Sequence, residues 1–245
     1  MSDHPPTSER DQIFAGERRA QDFDFGAETA AVFDDMLGRS VPFYKEVQRM
    51  IVEMAASFTA EGTRVYDLGC STGTTLESLA RALPGSVHLV GTDYSDDMLQ
   101  RAAQKLRPYQ DRVELVRADL NDGVKVENAS VVIMNLTLQF VRPLYRDQLV
   151  SQIARGLGKQ GCLIVVEKVL TKDSAFNRLF IEYYYDFKKR NGYSEMEISQ
   201  KREALENVLI PYRAEENTAL FLKNGFAHCE IFFKWYNFCG FIAHV

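Results

Sequence analysis

The stretch Val65-Tyr66-Asp67-Leu68-Gly69-Cys70-Ser71-Thr72-Gly73-Thr74 decides how this chain is read. A short apolar run ends in an acidic residue, a glycine-containing turn follows, and a helical pattern runs from Thr74 to Leu83. This is the pattern of a strand that enters a tight turn and opens a helix. Gly69 lets the chain turn and lets a ligand approach the backbone closely, and Gly73 is expected to let the helix start pack against the strand. The N–H groups of the turn and of the first helical turn lack intrahelical acceptors and can cradle a polar ligand. Asp67 sits where a carboxylate either steadies the loop or receives a ligand's ammonium group. An ordinary βα turn has the same local pattern, so the choice falls to the rest of the chain.

Downstream the pattern alternates. The spacing predicts strands over 64–68, 88–93, 113–117, 131–136 and 162–168, and helices over 74–83, 96–106 and 146–157. Alternation of this kind implies parallel strands with crossover helices, an α/β sandwich whose ligand sites lie at the carboxyl ends of the strands. Upstream, 12–19 and 28–37 carry helical patterns, Pro42 breaks the second, and a further helix is expected over 44–58. Helices ahead of the first strand suggest a cap over a cleft, with Tyr44 either reaching into it or packed at its rim. After Lys168, residues 174–190 form a helical stretch crowded with aromatics and ended by Asn191-Gly192. Ser194 and Glu197 make a capping box for a helix to about 208, another helix spans 214–224, and runs at 229–236 and 238–245 form a hairpin around Asn237 at the sheet edge.

Hydrophobic residues make up 46% of the 245-residue chain, enough for a full core, and 29 basic against 34 acidic side chains give a net charge of -5. That balance disfavours a broad nucleic-acid grip, which needs clustered cations. No apolar run reaches membrane-span length. Residues 1–11 are polar, contain Pro5 and Pro6, lack a signal-peptide core, and are read as a flexible tail. Cys70, Cys162, Cys229 and Cys239 show no metal-binding or Cys-x-x-Cys spacing, so reduced cysteines in a cytoplasmic protein are expected and no metal is assigned. Cys70 lies in the glycine turn without a local base to activate it.

Polar groups recur at the strand ends. Asp93 ends the second strand and can bind a ribose diol with both oxygens; Tyr94 after it can flank a base. Asp119 can accept from an exocyclic amine beside Leu120, and Asn135 falls next to the opening turn. Three readings compete. A dinucleotide site wants Gly-x-Gly-x-x-Gly, whereas the loop reads Gly69-Cys-Ser-Thr-Gly73 and no basic cluster awaits phosphates. A ligand-free α/β module has no need of polar groups at four strand ends. An S-adenosylmethionine site needs an acid on the ribose, a polar contact to adenine and a tight glycine turn, and fits best.

The loop Asp67-Leu-Gly-Cys-Ser-Thr-Gly73 has Ser71 where methyltransferases usually carry a middle glycine. With Ser40-Val-Pro-x-Tyr44, Asn135-x-Thr-Leu-Gln-Phe140, and Asn191-Gly-Tyr-Ser-Glu-x-Glu-Ile-Ser-Gln-Lys-Arg202 followed by Leu205-Glu-Asn-Val208, the chain resembles the carboxy-S-adenosyl-L-methionine synthase family from about Phe25 onward. The resemblance implies one methyltransferase-like, Rossmann-like domain over 1–245. Its expected parts are a tail and helical cap (1–60), a cofactor-binding core (61–170), a helical insertion (171–225) and a terminal antiparallel hairpin (226–245) on a mostly parallel seven-stranded sheet. It implies a cytoplasmic homodimer, a transferase that turns S-adenosyl-L-methionine and prephenate into carboxy-S-adenosyl-L-methionine and phenylpyruvate. The product would serve carboxymethylation of the wobble uridine of tRNA by a partner enzyme, without direct nucleic-acid or membrane binding here. By the same resemblance, Tyr44, Gly69, Cys70, Ser71, Asp93, Tyr94, Asp119, Leu120, Asn135 and Arg202 are the ligand contacts. Arg202 would hold a substrate or product carboxylate in its own site or the partner's, and no acid–base residue is assigned. The family's proposed route needs little from the protein: departing hydroxide takes a methyl proton and the ylide captures carbon dioxide. A conventional methyltransferase acting on a small keto acid, and a non-catalytic cofactor-binding or tRNA-associated protein, are the alternatives. The chain departs from the family at Tyr94, where Asn is common, and at Tyr183-Tyr184-Tyr185, where a His pair is expected.

Overall fold

The structure is a computed structural model and describes residues 10–16 and 22–245. A seven-strand path in the order β3-β2-β1-β4-β5-β8-β7 runs through strands β1 (Arg64–Leu68), β2 (His88–Asp93), β3 (Val113–Arg117), β4 (Ala129–Asn135), β5 (Leu157–Leu170), β7 (His228–Trp235) and β8 (Phe238–His244). β1 to β5 are parallel, and β8 is antiparallel to both β5 and β7. The hairpin therefore folds back so that its second strand, not its first, continues the sheet. A two-residue strand β6 (Tyr212–Arg213), not anticipated from the sequence, pairs with the end of β5.

Eight α-helices flank the sheet among the described residues: α1 (Ala27–Ser40), α2 (Tyr44–Phe58), α3 (Thr74–Ala82), α4 (Asp96–Leu106), α5 (Pro143–Gly156), α6 (Ser174–Arg190), α7 (Glu195–Leu205) and α8 (Ala214–Lys223). Most follow the sequence pattern closely, because apolar spacing and capping agree. α4 starts at Ser95, whose side chain accepts from the Met98 N–H, and α7 starts at the expected Ser194–Glu197 capping box. α5 begins three residues before its apolar pattern, with Pro143 in the first turn, where its missing N–H costs nothing. β5 starts five residues early, carried across Gly158 and Gly161 by an irregularity in its pairing with β4.

Two N-terminal expectations are corrected. The described part of the 12–19 helical pattern forms turns and bends, not helix, and residues 17–21 lie outside the described residues. Asp11, assigned to a flexible tail, is 2% exposed; its carboxylate accepts from the Tyr193 hydroxyl at 2.6 Å. Residues 1–9 lie outside the described residues.

The sheet is covered on both faces by apolar side chains, one cluster gathered around α5 and α8 and the other around α2, α3 and α4. A third cluster joins α1 to Met98 of α4, seating the cap over the carboxyl ends of β1 and β2.

Candidate functional site

The glycine turn is built by three residues with positive φ: Gly69 (76°), Ser71 (52°) and Gly73 (78°). A Cβ at Gly69 would overlap the Thr137 side chain, so the turn lies against the loop that follows β4. Gly73 does not serve strand packing as expected. A Cβ there would meet Leu106 at 2.9 Å and Ala102 at 3.2 Å, so its bareness lets the turn settle on α4. Ser71 replaces glycine in the left-handed region, where a side chain is disfavoured. Its N–H donates to Asp93 Oδ2 at 2.9 Å and its hydroxyl lies 3.5 Å from Met98 Sδ.

These contacts separate the two acids at the head of the site. Asp93 is the loop-steadying carboxylate: Oδ2 accepts from Ser71 N–H and Oδ1 from Ser95 N–H at 3.0 Å. The Tyr94 backbone N–H also favours the charged form, acceptor capacity remains beyond these three donors, and the residue lines the cavity. Asp67 lies next to last in β1, 1% exposed, and among the described residues neither oxygen has a hydrogen-bond partner. Burial, reinforced by the Asp93 charge, pushes its carboxyl up to about 7. A buried carboxylate with no donor is costly unless a cationic or donating ligand completes it.

The cavity runs from these acids across the strand ends to the face of α6. Tyr44, Cys70, Tyr94, Asp119, Leu120 and Asn135 all line it. Tyr44 accepts a 2.9 Å hydrogen bond from Gln48, and burial raises its hydroxyl above the usual phenol range. Burial also holds the Cys70 thiol well above its ordinary value, an inert setting for a nucleophile. Asp119 accepts from Asn121 through backbone and side chain at 2.9 and 2.8 Å, and Asn135 Oδ1 is buried without a partner among the described residues. Tyr94 is half-exposed and meets Phe25 edge-on at 6.0 Å; Phe25 meets Phe140 at 5.3 Å. The Ser95 hydroxyl donates to the Phe25 carbonyl at 2.7 Å, pinning the segment before α1 over the cleft. A second tie is the Lys105 ammonium, 2.7 Å from Asp34 of α1 and 2.7 Å from Thr74 at the start of α3.

Arg202 is exposed on α7 and is not among the residues lining this chain's cavity. Its neighbour Lys201 lines it, with Lys168 of β5 and Lys188 of α6. The sequence showed no basic cluster at the cleft; the fold assembles one from these three lysines. The place of Lys168 between buried Glu167 and Val169 near the strand end was the available signal. Lys188 was masked by its place in the run Lys188-Lys189-Arg190, which reads as a charged helix end.

A methyltransferase-domain family matches residues 65–161. Carboxy-S-adenosyl-L-methionine synthase of Methylococcus capsulatus is 57% identical, over 96% of this chain and 98% of its own length. The chain belongs to the carboxy-S-adenosyl-L-methionine synthase family. The synthase of Sulfurimonas denitrificans is 50% identical over 95% of this chain and 98% of its own. The chain is thus an enzyme of this family, on a transferase fold that uses S-adenosylmethionine. Among solved structures, an O-methyltransferase family protein from Burkholderia thailandensis superposes with a TM-score of 0.65 at 17% identity, covering 89% of this chain and 59% of that one. The magnesium protoporphyrin IX methyltransferase of Synechocystis PCC 6803, with bound S-adenosylhomocysteine, gives 0.59 at 15% identity over 85% and 86%. At such identities these likenesses speak for the fold alone.

Proposed function

We propose that this synthase converts S-adenosyl-L-methionine and prephenate into carboxy-S-adenosyl-L-methionine and phenylpyruvate, in the cytoplasm, as a homodimer forming one domain over residues 1–245. The product would be the donor for carboxymethylation of wobble uridine in tRNA by a partner enzyme, with no direct grip on nucleic acid or membrane by this chain. The observation that carries the reading is the pair of buried acids, Asp67 without a donor and Asp93 pinned by two N–H groups.

In this reading Asp93 takes the ribose diol with its remaining acceptor capacity, and Asp67 with the Gly69–Ser71 turn receives the amino-acid end. Tyr94 and Leu120 flank the adenine beside Asp119, and Tyr44 and Asn135 close the sulfonium end. The protein's contribution is to hold both reactants together and keep water away. Prephenate loses carbon dioxide and its ring hydroxyl as hydroxide on aromatising. Hydroxide removes a proton from the sulfonium methyl, giving water. The carbanion then bonds to carbon dioxide, so that the two reactants give carboxy-S-adenosyl-L-methionine, phenylpyruvate and water. Arg202, exposed on its own subunit, would reach the partner's cavity in the dimer, where its planar fork pairs both oxygens of the new carboxylate.

Mass spectrometry of ligand released from purified protein, and of products after incubation with both reactants, tests the proposal. A carboxylated S-adenosylmethionine is the expected mass. Unmodified S-adenosylmethionine alone, or S-adenosylhomocysteine with a methylated acceptor, would overturn it.

A further inference from the structure

We propose that the ammonium groups of Lys168 and Lys188, with Lys201 beside them, form a receptor for a small dicarboxylate dianion within each subunit's own cavity. The proposal rests on the reading above, in which the second reactant carries two carboxylates, and assigns them to residues that the family resemblance did not supply.

Three lysines from β5, α6 and α7 line one cavity, although they lie 20 and 13 positions apart in sequence. Lys168 and Lys188 converge on one ring, with their Nζ atoms 4.6 and 4.8 Å from the centroid of Tyr184, itself 5% exposed. Lys188 is 4% and Lys201 7% exposed. Among the described residues, Lys201 alone of the three has a carboxylate within ion-pair distance, Asp11 at 3.9 Å. That carboxylate is also held by the Tyr193 hydroxyl, and the Arg39 guanidinium binds the Asp11 carbonyl. The aromatic face offers Lys168 and Lys188 a weak attraction, far less than an ammonium loses on leaving water. Burial lowers all three, Lys168 and Lys201 to about 8 and Lys188 well below its ordinary value; repulsion adds to it, from Lys201 on Lys168, from Lys168 and Lys201 on Lys188, and from Arg39 on Lys201. Two ammonium groups, Lys188 buried and Lys168 partly exposed, that line a cavity with no carboxylate partner among the described residues are an unfinished electrostatic structure. A dianion supplies the missing charge one for one, and a carboxylate accepts short charge-assisted hydrogen bonds from an ammonium.

The placement also suits the chemistry. Lys168 lies two residues past Val166, which is in register with Asn135 at the end of β4. The basic wall is therefore adjacent to the strand end assigned to the sulfonium side, opposite the acids that take the ribose.

Lys168→Met and Lys188→Met keep chain length and remove charge, so neither is expected to melt below the parent. Prephenate KM should rise at least tenfold in each, with the dissociation constant for S-adenosylmethionine within twofold of the parent's. Independently of turnover, millimolar malonate should raise the parent's melting temperature more than equimolar acetate does, and this difference should vanish in both variants. An unchanged prephenate KM in both variants, or a malonate effect that matches acetate in the parent or persists in both variants, would overturn the receptor. If the parent makes no carboxylated product, the function proposed above fails by itself and the malonate comparison still judges the lysines.

Discussion

The two ends of the cavity are opposite in charge and in how they are made. At one end, acids sit at the tips of successive parallel strands, and Asp93 is held by the backbone of its own and the neighbouring turn. At the other, the ammonium groups of Lys168 from a strand and Lys188 from a later helix meet around Tyr184, and Lys201 of the next helix lines the same cavity. The acidic end is a product of topology: β1 to β4 stop at one level, so their terminal residues share one rim. The basic end is a product of packing, since α6 and α7 place Lys188 and Lys201 over β5 only once the fold has closed. A preorganised end suits the part of a ligand that must be oriented, and an unfinished end suits charge that arrives with it.

The largest expected effect strikes the acidic end through its backbone. Gly69→Ala puts a methyl group into Thr137 and a side chain at a φ of 76°. Strain of this kind costs ~1–3 kcal/mol before the clash is counted, so affinity for S-adenosylmethionine should fall by roughly a hundredfold or more in calorimetric titration. A near-normal affinity would mean that the turn is not what receives the ligand. Next, Asp93→Ala removes the proposed charge-assisted bonds to the ribose, a loss on the order of 2–3 kcal/mol. The same titration checks it, and unchanged binding would put the diol elsewhere.

Asp67 sharpens the comparison through pH. Its folded-state pKa, about 7, lies above the ordinary carboxylate value of 3.8. The folded chain therefore binds more protons than the unfolded one between these values, and ligand-free stability falls as pH rises from about 4 to about 7. Glu167, buried and raised to about 7, acts in the same direction, so the variant is needed to isolate Asp67. Asp67→Asn should melt higher than the parent at pH 8. It should also weaken S-adenosylmethionine binding and remove its decline below about pH 7, worth about tenfold per pH unit. Equal melting and an unaltered binding profile would mean that Asp67 meets neither cost nor ligand.

The smallest expected effect tests whether the basic end is completed from outside. Arg202→Lys should leave S-adenosylmethionine binding nearly intact and slow formation of the carboxylated product by at least ~1.5 kcal/mol, assayed at saturating prephenate. Light scattering should give a dimer mass for parent and variant alike. Undiminished product would return Arg202 to the solvated face where α7 displays it, leaving the intrachain lysines as the receptor.

Much of this was legible along the chain. The turn after β1, the acid at the end of β2, the capping box of α7 and the terminal hairpin are local patterns, each set by a spacing or backbone requirement within a few residues. Other features were not. Asp67 and Asp93 both lie near the carboxyl ends of neighbouring strands; the sequence left Asp67 either to steady the loop or to receive an ammonium group, and gave Asp93 the ribose. Only the turn's path, with the Ser71 N–H directed at Asp93, made one the support and left the other without a donor. Lys201 and Arg202 are adjacent cations in one motif, and the resemblance favoured Arg202. The helical rotation of about 100° per residue decides that Lys201 faces the cavity while Arg202 faces solvent. Sequence by itself determined the strand-turn-helix register, the α/β alternation and the acids at the strand ends, because periodicity and topology act through neighbouring residues. Tertiary structure alone decided which acid is free, which of two adjacent cations turns inward, and that Lys168 and Lys188 meet on one aromatic ring. Those outcomes depend on how elements far apart in the chain are rotated and stacked against each other.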